Sequence, residues 1–258
     1  MKTLPALLIL TIGLSGSLFA QPQFKALLFT KTAGWHHVSI NEGVDAIRNL
    51  ANRHAFEVNW QENASQFNAQ NLEQFDVIIF LNTTGDILND EQQAAMEDFI
   101  RSGKGFVGIH SASDTEYDWE WYTQLVGRMF VAHPADQTAK IDVIDPGFPG
   151  LQIMPNSRFW TDEWYVFSEE NVEGLNYLIT VDENTYDPES DWGQGRAKGM
   201  GDFHPISWYQ EFDGGRSFYT AMGHRPENYS DAIFMEHIFG GIFWAATGRG
   251  VAKASEQR

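Results

Sequence analysis

Lys25-Ala26-Leu27-Leu28-Phe29 is a short apolar run that reads as a strand, and it gives way to a polar, glycine-containing stretch from Thr30 to His37. Ser39 and Glu42 then stand at capping-box spacing. Val44, Ile47, Leu50 and Ala51 recur on one face of the helix they introduce. Glu57 to Trp60 reads as a second strand. Val77-Ile78-Ile79-Phe80-Leu81 is uninterrupted and largely β-branched, the pattern of a strand buried on both faces and hence of a parallel sheet. Asn89 caps a helix whose stripe of Ala95, Met96, Phe99 and Ile100 ends at Gly103. This alternation predicts an α/β fold with a doubly wound, mostly parallel sheet.

The next segment, Gly105-Phe106-Val107-Gly108-Ile109-His110-Ser111-Ala112-Ser113-Asp114, is a buried strand that stops at a histidine followed by small residues. Small residues there permit a sharp turn that lifts one side chain over the carboxyl edge of the sheet, where α/β proteins bind ligands. In hydrolases the residue lifted this way is a nucleophile; here it is an imidazole. Loops 31–37, 82–86 and 110–114 should share that rim. The second half is less regular, with candidate strands at Ala139 to Ile144, Asn176 to Val181, Ile206 to Phe212 and Ser217 to Met222. A last helix is expected over about Asp231 to Ala246.

Composition narrows the classes. Lys2 followed by the apolar run Leu4 to Leu14 and the small residues up to Ala20 reads as a cleaved signal peptide over 1–20, which predicts a periplasmic or secreted protein. The expected layout is then one domain over 21–250 and a frayed tail over 251–258. That leader run is too short for a comfortable membrane span, and no membrane insertion is expected of the rest. With 17 Lys+Arg against 35 Asp+Glu, broad nucleic-acid binding is not expected. There are no cysteines, which excludes disulfides, a lipid-anchored cysteine and a thiol nucleophile.

Five ordered blocks resemble the trehalose-utilisation (ThuA-like) family over about Phe24 to Arg249. They are Lys31 to Ile40, Gly103 to Asp114, Val126 to Phe130 with His133-Pro134, Thr161 to Tyr165, and Gly215 to His224. The resemblance implies an architecture similar to class I glutamine amidotransferases, which is flavodoxin-like. It also implies work on oxidised sugars, 3-keto glycosides among them. His110 stands where the amidotransferase cysteine would be, so glutamine hydrolysis through a thioester is excluded. At the first loop the family form has an arginine or similar residue before the histidine, whereas this chain has His36-His37.

Eight histidines are present, and an imidazole moves protons near neutral pH. His110 is the first candidate for general base, with Asp114, four residues on in the helix expected after the turn, orienting it or capping that helix. His224 follows a strand-like run and is a candidate acid or substrate contact; His133 is a second acid or a binding residue, and His204 a further binding candidate. His36 and His37 leave open which of them faces the site. His54 and His237 fall on helices as surface or packing residues. Adjacent Asp162 and Glu163 point to opposite faces of a strand, and Asp162 is preferred for the site. Tyr165 is a proton donor or a core residue. Trp35, Trp119, Trp121 and Trp192 could stack on a sugar ring, and Lys31, Arg128, Arg216 and Arg225 are the nearby cations. No cofactor is expected: no recognised metal-ligand spacing or phosphate loop occurs, although a divalent ion held from distant segments remains an alternative.

Taken with the oxidised sugars that the resemblance implies, these residues point to a lyase or dehydratase reaction, proton abstraction and β-elimination on an oxidised or uronic sugar of an oligosaccharide. The alternatives are a hydrolase or isomerase of 3-keto glycosides, and a non-catalytic sugar-binding module. Nothing in the sequence fixes the oligomeric state.

Overall fold

The computed structural model of the chain describes residues 21–168, 174–191 and 196–251. The signal peptide expected at 1–20, all of the expected tail after Val251, and Trp192 lie outside the described residues. Thirteen strands are described: β1 Lys25–Phe29, β2 Glu57–Gln61, β3 Val77–Leu81, β4 Gly105–Ile109, β5 Phe130–Ala132, β6 Gln137–Val143, β7 Ser157–Asp162, β8 Val166–Phe167, β9 Asn176–Asp182, β10 Glu189–Asp191, β11 Arg196–Lys198, β12 Pro205–Phe212 and β13 Gly215–Thr220. Five helices accompany them: α1 Ile40–His54, α2 Ala69–Leu72, α3 Asp90–Arg101, α4 Glu120–Val126 and α5 Ala232–Thr247.

Nine strands form one sheet in the order β2-β1-β3-β4-β13-β12-β9-β6-β7. The pairings from β2 through β13 are parallel, and those from β13 to β7 are antiparallel. The parallel half has the order 2-1-3-4 of a flavodoxin-like sheet. Its strands β3 and β4 are buried along their whole length, as the continuous apolar runs require. The antiparallel half contains β7, which the hydrophobic pattern does not reveal. Its sequence SRFWTD buries only Trp160 and Asp162, so a polar residue occupies one of its two inward positions.

The last helix is buried on several sides and packs closely against β4 and β13. A β-carbon at Gly105 would lie 2.2 Å from the Ala245 carbonyl oxygen, and one at Gly241 would lie 2.4 Å from the Phe218 ring. Glycine at both positions allows helix and sheet to approach backbone to backbone. Asp231 caps α5 by accepting from the Phe234 amide, and it also takes both guanidinium nitrogens of Arg158, at 3.2 and 2.8 Å. Among the described residues, no helix is long and apolar enough to cross a membrane.

Two local expectations change. Asn89 and Gln92 do form a capping box on α3, but Ser39 makes none on α1. Its hydroxyl instead donates to the Gly223 carbonyl and accepts from Asn82 Nδ2, so it ties three loops together. The segment after β4 is a 3₁₀ turn over His110–Asp114 rather than the start of an α-helix. The three expected rim loops do meet: Thr32 bridges Thr84 and Gly85 bridges Thr115.

His237 lies fully buried on α5, with Nε2 3.2 Å from Ser207 Oγ. Burial pushes its pKa down from 6.5 to about 3. The unfolded chain therefore takes up this proton first, and stability should fall as the pH drops below about 6.5, by up to about 1.4 kcal/mol per pH unit. His237→Met should reduce the loss between pH 7 and pH 5 in urea unfolding. An equal loss in both proteins would show that this ring is not responsible.

Candidate functional site

Four chain segments leaving strand ends bring their side chains to one place. The first residue after β4, His110, has φ +52°, a left-handed conformation that costs an ordinary L-residue about 1–2 kcal/mol. Asn82 after β3 has φ +51° and Gly223 after β13 has φ +114°. Three neighbouring strands thus end in turns that bend the chain across the carboxyl edge. His110 Nδ1 lies 2.7 Å from the Ala221 carbonyl. A carbonyl only accepts, so Nδ1 carries the proton and Nε2 presents its lone pair.

That lone pair meets a crowd of groups. Tyr165 Oη lies 2.9 Å from His110 Nε2, His224 Nδ1 3.2 Å and Glu163 Oε2 3.5 Å. Glu163 Oε2 is in turn 3.2 Å from His224 Nδ1, and its other oxygen is 2.9 Å from His133 Nε2. His133 Nδ1 donates to the Pro134 carbonyl at 2.7 Å. His37 closes the group, with Nδ1 3.3 Å from Ser111 Oγ and its ring edge-on to those of His110 and His224.

Burial and charge separate these groups. Burial, reinforced by the neighbouring His224 imidazole, pushes His37 down to about 2, so its ring is neutral. Burial alone would raise Glu163, but hydrogen bonds from His133 and His224 hold it well below the usual carboxylate range. Burial opposes charging of His224, yet Glu163, Asp136 and Asp162 together push that imidazole up. Asp114 is pushed up by burial, against the lowering effect of its hydrogen bond from Tyr117. The Tyr117 hydroxyl is 2.8 Å from both Asp114 Oδ1 and the Phe130 carbonyl. One phenolic proton cannot serve two acceptors fully, and a proton on Asp114 completes the set.

Asp162 fixes the loop beneath this group. It is fully buried and accepts from the Trp160 indole, the Glu163, Gly223 and His224 amides and the Asn228 side chain, at 2.6–3.1 Å. Burial raises its carboxyl, but five N–H donors converging on two oxygens describe an ionised acceptor. This one side chain joins the end of β7 to the loop after β13.

A cavity of about 460 Å³ opens above the histidines, lined by Trp35, His37, Asp114, Phe130, His133, Glu163, Tyr165 and His224. His110 forms the floor with its ring completely covered, so it has no access to a substrate as a direct base, whereas His133 and His224 are each 23 % exposed. Trp35, 71 % exposed, stands at the mouth. Asp114 does not orient His110; its hydrogen bond goes to Tyr117.

The preference for Asp162 over Glu163 reverses. Asp162 is a buried positioning residue, and Glu163 enters the cavity. Glu163 and Tyr165 share strand parity, so the reading that admits Tyr165 should have admitted Glu163 as well. Of the histidine pair, His37 faces the site and His36 lies outside, against Thr32 Oγ1. His204 is a support: Nε2 donates to the Tyr165 carbonyl, and Nδ1 is 2.7 Å from Glu183.

The remaining aromatic and cationic candidates are engaged elsewhere. Lys31 Nζ donates to the Ile87 carbonyl, Arg128 to the Ser168 carbonyl and Tyr177, Arg225 to Glu227, and Arg216 to the Ala245 and Gly103 carbonyls. Trp119 and Trp121 donate to Glu97 and Asp213. His54 stacks on Phe239 and His237 is core, as their helical positions imply.

Fold and site together define an α/β protein with an imidazole-floored cavity on the carboxyl edge of a flavodoxin-like sheet. The sequence matches the profile of the trehalose-utilisation family, ThuA, over residues 25–245, and the chain belongs to that family. Membership supports a carbohydrate-related role. The fold is similar to that of a ThuA-like protein from Bacteroides uniformis, at 21 % identity and TM-score 0.73 over 90 % of this chain and 95 % of that one. A ThuA-like protein from Parabacteroides merdae aligns at 18 % identity and TM-score 0.67, over 91 % and 94 % of the two chains. No curated protein matches the sequence.

The five-donor clamp gives a stability prediction. Asp162→Asn keeps the shape but places an amide donor among donors, and should lower unfolding free energy by about 3 kcal/mol or more. Chemical denaturation checks this; a loss below about 0.5 kcal/mol would remove Asp162 from its role.

Proposed function

We propose that this chain is an exported carbohydrate-processing enzyme that removes a proton beside the carbonyl or carboxylate of an oxidised sugar and eliminates the β-oxygen. The observation that carries this is the presence, in one cavity, of carboxyls biased in opposite directions, Asp114 toward its acid form and Glu163 toward its anion. Such a split is how one site supplies both acid and base. Glu163 takes the proton from carbon, its oxygens held by the imidazoles of His133 and His224. The C–H pair becomes the new double bond, the C–O bond breaks, and Asp114 protonates the departing oxygen. His224 on the cavity floor faces the enolate-like charge that develops, and Trp35 offers a flat apolar face to the ring. Family membership supports the sugar, and the leader pattern at 1–20 supports export to the periplasm or beyond. An apolar-walled cavity with aromatics at its rim also fits a sugar held without reaction.

The test is incubation of purified protein with 3-keto and uronic oligosaccharides, read by mass spectrometry. Elimination gives an unsaturated product one water lighter than its saturated counterpart, hydrolysis gives saturated fragments that together gain one water, and isomerisation leaves the mass unchanged. Asp114→Asn and Glu163→Gln should each lower kcat by about 100-fold or more, with melting temperature preserved. A net gain of water, isomerisation or a substrate bound unchanged would overturn the elimination, and full activity in both variants would overturn the residue roles.

A further inference from the structure

Ligand-capable nitrogen and oxygen atoms converge on the floor of the cavity. His110 Nε2 has its lone pair fixed by the Nδ1–H to Ala221 bond and takes the Tyr165 hydroxyl at 2.9 Å. His224 Nδ1 and Glu163 Oε2 face it and each other at 3.2, 3.5 and 3.2 Å. His37 contributes a neutral ring whose donor atom lies, with the other three, inside a group no wider than 4.8 Å. A tetrahedral ion with ligand bonds of about 2.0–2.2 Å separates its ligand atoms by roughly 3.3–3.6 Å. The His110–His224–Glu163 triangle already has edges close to that length.

We infer that His37, His110, Glu163 and His224 form a binding site for one divalent transition-metal ion, with zinc the best match. Three imidazole nitrogens and one carboxylate oxygen suit zinc or its neighbours rather than magnesium or calcium, which favour oxygen ligands. The supports expected around such ligands are present. Ala221 holds the far nitrogen of His110, Ser111 that of His37, and His133 the second oxygen of Glu163. Asp162 holds the backbone of His224. The ligands come from four segments, following β1, β4, β7 and β13, so no local spacing announces them. Three of the four line the cavity, which would place the ion where a sugar carbonyl or hydroxyl could reach it.

This inference concerns the cavity of the proposed reaction, but its test reads metal instead of turnover. The full chain is stripped with chelator and titrated by calorimetry with zinc and, separately, magnesium; cobalt-loaded protein is examined by visible absorption. One zinc per chain, little magnesium binding and the intense bands of four-coordinate cobalt are expected. Glu163→Gln and His224→Ala should weaken zinc binding by about 100-fold or more, beyond the loss typical of supporting residues, while His36→Ala leaves it unchanged. Circular dichroism confirms that each variant is folded. Failure of wild-type protein to bind zinc, or equal affinity in folded Glu163→Gln and His224→Ala proteins, overturns the site. Stoichiometric zinc without sugar turnover upholds it and overturns the reaction; turnover by protein that binds no zinc does the reverse.

Discussion

The arrangement depends on a single ionised carboxylate in the interior. Asp162 is the last residue of an edge strand in the antiparallel half, yet it gathers the amides of Gly223 and His224 from the loop after β13. Burying a charge is costly unless donors surround it, and here the donors are supplied by segments far apart in sequence. The same contacts that satisfy Asp162 therefore set the position of His224, and through the amide of Glu163 they fix the entry of the next side chain into the cavity. Stability and site geometry are two consequences of one requirement, that no charge be left bare in the core.

Much of the parallel half was legible in the chain because its physics is local. Val77 to Leu81 and Gly105 to Ile109 have no polar positions, and such runs have few places to go except the centre of a covered sheet. His110 was identifiable as the residue after such a strand, and its left-handed backbone is the geometry that a strand-end elbow needs. The antiparallel half was harder to read. In β7 an inward position is filled by Asp162, which breaks the alternation that would have marked the strand, and its role is visible only once the donors from β13 and beyond are in place.

Positions 162 and 163 resist local reading for the same physical reason. Alternation was the right principle, because the two side chains do diverge. What local sequence could not supply was which of the two is claimed by buried donors, because the amides that hold Asp162 come from Gly223 and His224, some sixty residues later. The cations near the family-like blocks misled for a related reason. Arg128 and Arg216 are close in sequence to site segments, but backbone carbonyls and Tyr177 claim their guanidinium groups.

His110 sits with an unfavourable backbone torsion, its ring pinned between Ala221 and Tyr165. Its orientation is thus decided when the chain folds, and no rotamer search remains when a guest arrives. The entropy of ordering that ring is incurred once per molecule and not once per encounter. A floor built in this way is rigid by construction, so adaptation to guests of different shape must fall to the exposed indole at the mouth.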